Sequence, residues 1–240
     1  EFCIMLSQVE IKHVNALKIK KYRYKYAQFI AEGDKIIKEL IAEGMEVVHI
    51  YAQPAKSSLQ HPQCKPVTEQ EMQKLTALSN PAASLAVFAM PVRDAAPAAG
   101  EWIVVLDDIQ DPGNMGTIIR TCDWFGVKKI ICSDGCVDVY NPKVVQSSMA
   151  SVGRVSVMET GLAAFFHEYQ GPVYGAVFDG VNYHQQAFTA PGCILIGNEG
   201  HGIDAELLPF ISHPVTIPRK GKAESLNAAI ATALILDKLP

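Results

Sequence analysis

Ile217-Pro218-Arg219-Lys220-Gly221-Lys222-Ala223-Glu224-Ser225-Leu226-Asn227-Ala228-Ala229-Ile230-Ala231 follows a short apolar run, carries a basic loop with one glycine, and enters an alanine-rich segment that reads as helix to Leu239. A strand, a loop of glycine and charge, and a helix of small residues suit a ligand held against main-chain atoms. Glycine permits close backbone approach, and alanines let a helix pack tightly on its neighbours. Outward from this stretch, short apolar segments alternate with helical patterns over residues 101–240. Strands are expected at 102–106, 129–132, 155–157, 173–178, 193–196 and 215–217, and helices at 115–125, 142–150, 161–169, 203–210 and 226–239. Alternation of this kind predicts an α/β fold, a mostly parallel sheet with helices on both faces. Its ligand belongs in the loops at the carboxyl ends of the strands.

Three such loops are rich in glycine, asparagine and charge. The first runs from Asp107 to Thr117 and leads into a helix carrying Arg120. Asn114 stands where a helix N-cap is expected, and Arg120 lies two turns beyond Gly113. A guanidinium there either pairs with the acidic loop or clamps a phosphate through its planar fork. The second loop, Gly197-Asn198-Glu199-Gly200-His201-Gly202, follows an apolar strand. It lacks the GxGxxG order of a dinucleotide loop, and no acidic residue ends a strand about 20 residues on. Glu199 then has a plain role, stabilising the N-terminus of the helix expected at 203–210. The third loop is the opening stretch, in which Ser225 and Asn227 stand at cap positions. Each residue alone has a structural explanation; three such loops after strands of one sheet point to a shared site.

The first hundred residues have a different texture. They carry 12 Lys/Arg against 10 Asp/Glu, whereas residues 101–240 carry 9 against 15, so the overall charge of −4 hides a basic half. Within Lys12 to Lys25, six basic residues occur with no acidic one, and Lys18, Lys20, Lys21, Arg23 and Lys25 interleave with Tyr22, Tyr24 and Tyr26. Cations for phosphates and flat rings for bases fit single-stranded nucleic acid; a solvated helix face with half-buried tyrosines fits equally. Helical patterns at 35–43 and 69–78, the second opened by a Thr68/Glu71 capping box, and strands at 46–51 and 84–90 make this a small α/β domain over residues 1–92. Residues 93–100, low in complexity and without large apolar side chains, read as a linker to a second domain at 101–240. The six cysteines lack CxxC spacing, and no histidine accompanies Cys132 and Cys136, so they read as reduced, buried thiols with no metal site. No apolar run reaches 18 residues and no secretory pattern is present, which predicts a cytoplasmic protein without a transmembrane helix.

Together, NxGxxxR (Asn114 to Arg120), GNEG after a strand (Gly197 to Gly200) and IP followed by a basic loop and ESLN (Ile217 to Asn227) resemble the three motifs of the SpoU-type, TrmH-like RNA ribose methyltransferases of the SPOUT trefoil-knot superfamily. The resemblance runs from Asp107 to Lys238 and includes the segment from Asn141 to Met149. The N-terminal domain, with Phe29-Ile30-Ala31-Glu32-Gly33, is similar to the L30e-like substrate-binding domain often fused ahead of this catalytic domain. The resemblance implies a deep trefoil knot in the C-terminal sheet and S-adenosyl-L-methionine as cofactor, held near Gly197, Ile217 and Leu226 with Ile196 and Gly200 alongside. It implies a homodimer in which Arg120 approaches the partner's cofactor, and methyl transfer to a ribose 2′-hydroxyl of RNA, ribosomal RNA ahead of tRNA. Asn114, Glu199, Ser225 and Asn227 would position Arg120 and the ribose; Arg120 acts either as base or as clamp. Two positions depart from the family pattern: Arg219-Lys220-Gly221 replaces a common Met-x-Gly, and Ala229 replaces a common serine. Arg219, Lys220 and Lys222 would add RNA contacts. Two other classes compete: a non-catalytic RNA-binding knot protein, separated by a methyl-transfer assay, and a dinucleotide-dependent enzyme, which lacks its fingerprint.

Overall fold

The computed structural model describes residues 6–92 and 100–240; the expected linker, apart from Gly100, lies outside the described residues. In chain order the first elements are α1 (Gln8–Ala16), α2 (Lys20–Tyr26), β1 (Gln28–Glu32), α3 (Asp34–Ala42), β2 (Val47–Ala52), β3 (Cys64–Pro66), α4 (Glu69–Leu75) and β4 (Ser84–Ala89). There follow β5 (Ile103–Leu106), α5 (Pro112–Trp124), β6 (Lys129–Cys132), α6 (Pro142–Ser148), β7 (Ser156–Glu159), α7 (Leu162–Glu168), β8 (Val173–Asn182), β9 (Cys193–Ile196), β10 (His213–Thr216) and α8 (Ala228–Leu236).

Contacts divide the chain into two compact units, residues 1–92 with 138–153 and residues 93–137 with 154–240. The first is built on a four-stranded sheet of order β1-β4-β2-β3, in which β4 runs antiparallel to both neighbours. The sequence-based reading missed β1 and β3. Phe29 to Glu32 lacks polar alternation because β1 is buried along its length, and three-residue β3 is too short to show a period. Thr68 and Glu71 do form the expected capping box on α4. One core packs Phe29, Ile36, Ile37, Leu40 and Phe88 against Val145, Ala150 and Val152, so α6 and its flanks complete this unit.

The same excursion neutralises a buried cation. Arg23, 2% exposed, directs Nε and Nη2 to Oδ2 of Asp138, and its Nη1 donates to the Leu17 carbonyl at 2.9 Å. Asp138 Oδ1 accepts from the Tyr24 hydroxyl at 2.9 Å and the Tyr140 N–H at 3.2 Å. A charge this buried holds only when its partner and hydrogen bonds are complete.

The second unit is a six-stranded, wholly parallel sheet of order β10-β8-β9-β5-β6-β7, as the alternating pattern predicts. The central strands β5 and β9 are buried throughout, and Ile103, Val105, Ile131, Leu162, Phe166, Leu195 and Leu207 share one core. One expected helix is absent: residues 203–210 form turns and a single 3-10 turn, Leu208–Phe210. Pro209 has no N–H to continue a helix, and the Asp204 N–H is taken by the Asp107 carboxylate at 2.8 Å.

Removing the counter-ion gives a direct check. Asp138→Ala leaves the Arg23 guanidinium buried and unpaired and is expected to lower stability by about 3–5 kcal/mol in urea titration of the full chain. Arg23→Met with Asp138→Leu should recover most of that loss.

Candidate active site

The site forms where β5, β9 and β10 end. After β5 the chain enters an acidic turn whose first carboxylate, Asp107, is buried beneath the loop following β9. Burial pushes the Asp107 carboxyl above its usual range, although the Asp204 N–H stabilises the charged form. Asp108 adopts φ +55°, in the left-handed region that asparagine and aspartate tolerate best. This turns its carbonyl towards Asn198 Nδ2, which donates at 2.7 Å, while its N–H donates to Ser133 Oγ at 2.9 Å. The next residue, Ile109, donates its N–H to Cys136 Sγ at 3.2 Å, so one buried thiol supports the loop from below.

Helix α5 begins earlier than the sequence-based reading placed it, and its cap is Asp111 rather than Asn114. The Asp111 carboxylate accepts the Asn114 N–H at 2.8 Å, and Pro112 takes the first helical position, where its missing N–H costs nothing. Asn114 is therefore inside the first turn with its amide released for tertiary bonds. Its Nδ2 donates to Glu199 Oε1, and its Oδ1 accepts from Asn227 Nδ2 at 2.9 Å. Asn227 in turn caps α8, accepting from the Ala229 and Ile230 N–H groups at 3.0 and 3.2 Å. Glu199 and Asn227, from the loops after β9 and β10, and Asn114, from the first turn of α5, thus form a single hydrogen-bonded row. With no helix at 203–210, the plain role for Glu199 as a dipole partner falls away.

The loop after β9 is shaped by its own backbone. Asn198 and Gly202 exchange two main-chain hydrogen bonds of 2.9–3.0 Å, and the Gly200 N–H donates to Asn198 Oδ1 at 2.7 Å. A Cβ on Gly197 would lie 2.3 Å from the Gly202 carbonyl carbon and 2.4 Å from the Ile203 nitrogen. Any side chain there would push the loop open. Sequence reasoning passed over Asn198 and Asp111; an asparagine between two glycines after a strand, and an Asp-Pro pair before a helix, were the available signals.

Ile196 is buried at the end of β9, and Ile217 is half-buried just after β10. Residues 217–227 are neither helix nor strand, so their main-chain groups are free of any ladder, and Leu226 projects its side chain into solvent. The end of β9 and the loop that follows β10 thus carry apolar side chains, Ile196, Ile217 and Leu226, and peptide groups outside any ladder, a chemistry that fits an adenosyl group, flat and apolar with a hydrogen-bonding edge. Ser225, Lys220 and Lys222 are exposed, and Arg219 donates from Nη1 to the Ala223 carbonyl at 3.2 Å. Arg120 is exposed on α5 and has no hydrogen bond or ion pair among the described residues. Among the described residues no cluster of three His, Cys, Asp or Glu side chains forms a metal site, and no helix is long and apolar enough to cross a membrane.

In the first unit the basic segment divides. Lys21 and Lys25 are exposed, Lys20 lies 5.9 Å from the Tyr24 ring centre, and Lys25 lies 5.6 Å from that of Tyr26. Lys18 is partly buried, with Nζ donating to the Thr76 carbonyl at 2.6 Å. Arg23 is the correction to the expected RNA contacts. Its guanidinium is turned inward to Asp138, out of reach of a phosphate.

Comparison with known proteins gives a consistent result. Residues 101–237 match the SpoU rRNA Methylase family, and residues 8–86 match the MRM3-like substrate binding domain. The 23S rRNA (guanosine(2553)-2′-O)-methyltransferase RlmP of Bacillus subtilis is 31% identical over 95% of this chain and 94% of its own length. An S-adenosylmethionine-bound rRNA methyltransferase from Sinorhizobium meliloti superposes with a TM-score of 0.85 at 29% identity, covering 98% of this chain and 95% of that one. A TrmH-family protein from Porphyromonas gingivalis gives 0.85 at 33% identity over 98% of both chains.

Introducing a negative charge into the row tests its geometry. Asn114→Asp leaves two carboxylates facing each other, and their repulsion grows as both ionise. Thermal denaturation should show the variant close to wild type near pH 4 and destabilised by about 1–3 kcal/mol at pH 8.

Proposed function

From a chain that belongs to the SpoU rRNA methylase family, S-adenosylmethionine-dependent enzymes that methylate RNA ribose 2′-hydroxyls, we propose that this one acts on ribosomal RNA in the cytoplasm and works as a homodimer. One observation carries the choice of RNA: the similarity to RlmP spans 95% of this chain, including the appended N-terminal unit and not the catalytic unit alone.

S-adenosylmethionine, when bound, supplies an electrophilic methyl group on its sulfonium. The chain's own residues bring the ribose into line with it, because an in-line displacement depends chiefly on alignment. Main-chain groups around Gly197–Gly200 and Ile217–Leu226 hold the cofactor, with Ile196, Ile217 and Leu226 as the apolar surface. The row from Glu199 through Asn114 to Asn227 fixes the rim against which the ribose rests, and Ser225 offers a further hydroxyl. Arg120 serves as a clamp on the ribose-phosphate. A guanidinium, protonated below a pKa of about 12, is suited to holding a phosphate and poorly suited to removing a proton. Lys20, Lys21, Lys25, Lys220 and Lys222 contact the RNA backbone.

The exposed apolar side chains of the catalytic unit favour the homodimer. Trp124 is 85% exposed one helical turn beyond Arg120, and Ile230 is 51% exposed one turn into α8, the helix packed on α5. Tryptophan is among the residues most enriched at protein interfaces. Seated against a second copy, the same face would carry Arg120 into the partner's site.

Two measurements check this reading. Arg120→Ala should cut transfer of tritiated methyl groups to 23S rRNA by at least about a hundredfold while calorimetric affinity for S-adenosylmethionine stays within about twofold; transfer to tRNA alone would refute the choice of RNA. Trp124→Glu with Ile230→Glu should convert the species seen by analytical ultracentrifugation from dimer to monomer, with loss of methylation.

A further inference from the structure

β8 continues past the end of its neighbour. Gly175 pairs with Pro214 of β10, but the next pair is Val181 with Val215, so β8 advances six residues while β10 advances one. Residues 176–180 therefore stand out from the ladder. The excursion is anchored: the Thr216 hydroxyl donates to the Phe178 carbonyl at 2.9 Å, and the Tyr183 N–H donates to the Thr216 carbonyl at 2.9 Å. Gly180 passes so close to β10 that a Cβ would lie 2.7 Å from the Pro214 carbonyl carbon and the Val215 nitrogen. This backbone cradle presents a Phe178 ring that is 76% exposed and a Val181 that is 46% exposed; just after it in the chain, Tyr183 and His184 pack ring to ring at 4.0 Å.

The place of the excursion gives its chemistry. Gly175 is also paired with Leu195, two residues before Gly197, and Thr216 is the residue before Ile217. The excursion thus stands at the same rim of the sheet as the loops at 197–202 and 217–227. Arg219, Lys220 and Lys222 are exposed within six residues of Thr216. Fixed, solvent-facing rings next to cations are the elements with which proteins hold unpaired nucleotides: rings stack on bases, and cations meet phosphates.

We propose that Phe178 is a stacking platform for an unpaired base of the substrate RNA next to the methylated ribose. Arg219, Lys220 and Lys222 hold the phosphates of the same strand. The proposal rests on the RNA methyltransferase reading and adds a positioning residue to it. Phe178 touches neither the methyl group nor the reacting hydroxyl; it sets where the nucleotide lies.

The test uses the full chain and two readouts. Phe178→Ala should raise KM for 23S rRNA and weaken binding of a labelled oligouridylate of about 12 nucleotides roughly 5- to 100-fold, the range that stacking of one base provides. Affinity for S-adenosylmethionine and sedimentation as a dimer should be unchanged, and Phe178→Trp should restore both RNA readouts. Wild-type RNA affinity in Phe178→Ala would overturn the platform alone. So would a shift in its oligomeric state, which would make Phe178 a subunit contact. A wild-type protein that neither binds the oligouridylate nor methylates RNA would overturn this proposal together with the reading beneath it.

Discussion

The catalytic unit depends on one side-chain amide. Asn114, in the first turn of α5, donates to Glu199 and accepts from Asn227, which belong to the loops that follow β9 and β10. An amide is the side chain suited to this position. A carboxylate would repel Glu199, and a hydroxyl is too short to bridge both neighbours. The amide is available because Asp111 has taken over the capping of α5 and Asn227 caps α8 through its oxygen while donating through its nitrogen. Two helix starts and three loops are thereby locked to a common geometry by groups that would otherwise satisfy only local backbone.

That arrangement explains which parts of the site could be read in the sequence. The strands and their order of alternation were legible because β5, β6 and β9 are short apolar runs bounded by charged or glycine-rich turns. The three motifs marked the loops. Their local logic was not legible, because Asp111 and Asn114 both have cap chemistry and only the helix start decides between them. Spacing alone cannot show that Asp107 reaches Asp204 across 97 positions and removes the N–H a helix would need. At Arg23 the failure has another cause. A basic residue amid lysines and tyrosines reads as surface, and its partner Asp138 is 115 residues away. Composition detects charge, not its neutralisation.

Arg23 also bears on how the chain is organised. Asp138 and the core residues Val145, Ala150 and Val152 lie inside the stretch matched by the methylase family, yet they pack within the N-terminal unit. The chain therefore leaves the parallel sheet after β6, completes the other unit's core and ion pair, and returns for β7. A buried guanidinium with a single counter-ion is unforgiving of errors in register. The place of residues 138–153 within the first unit is accordingly specified by a charge pair as well as by apolar packing.

The catalytic unit has the opposite economy around Arg120. Its guanidinium has no partner among the described residues although Asp107, Asp108, Asp111 and Glu199 all lie in the adjoining loops. Each of those carboxylates has a donor elsewhere: Asp107 from Asp204, Asp108 from Gln110, Asp111 from Asn114, and Glu199 from Asn114. The acidic loop is thus occupied internally, and the ion pair that sequence reading offered as the plain role for Arg120 is not made. On the reading proposed above, an arginine without a partner among the described residues, on the same helical face as an exposed tryptophan, meets partners outside its own chain. Within the proposed function those partners are a phosphate of the substrate and the second subunit that brings it.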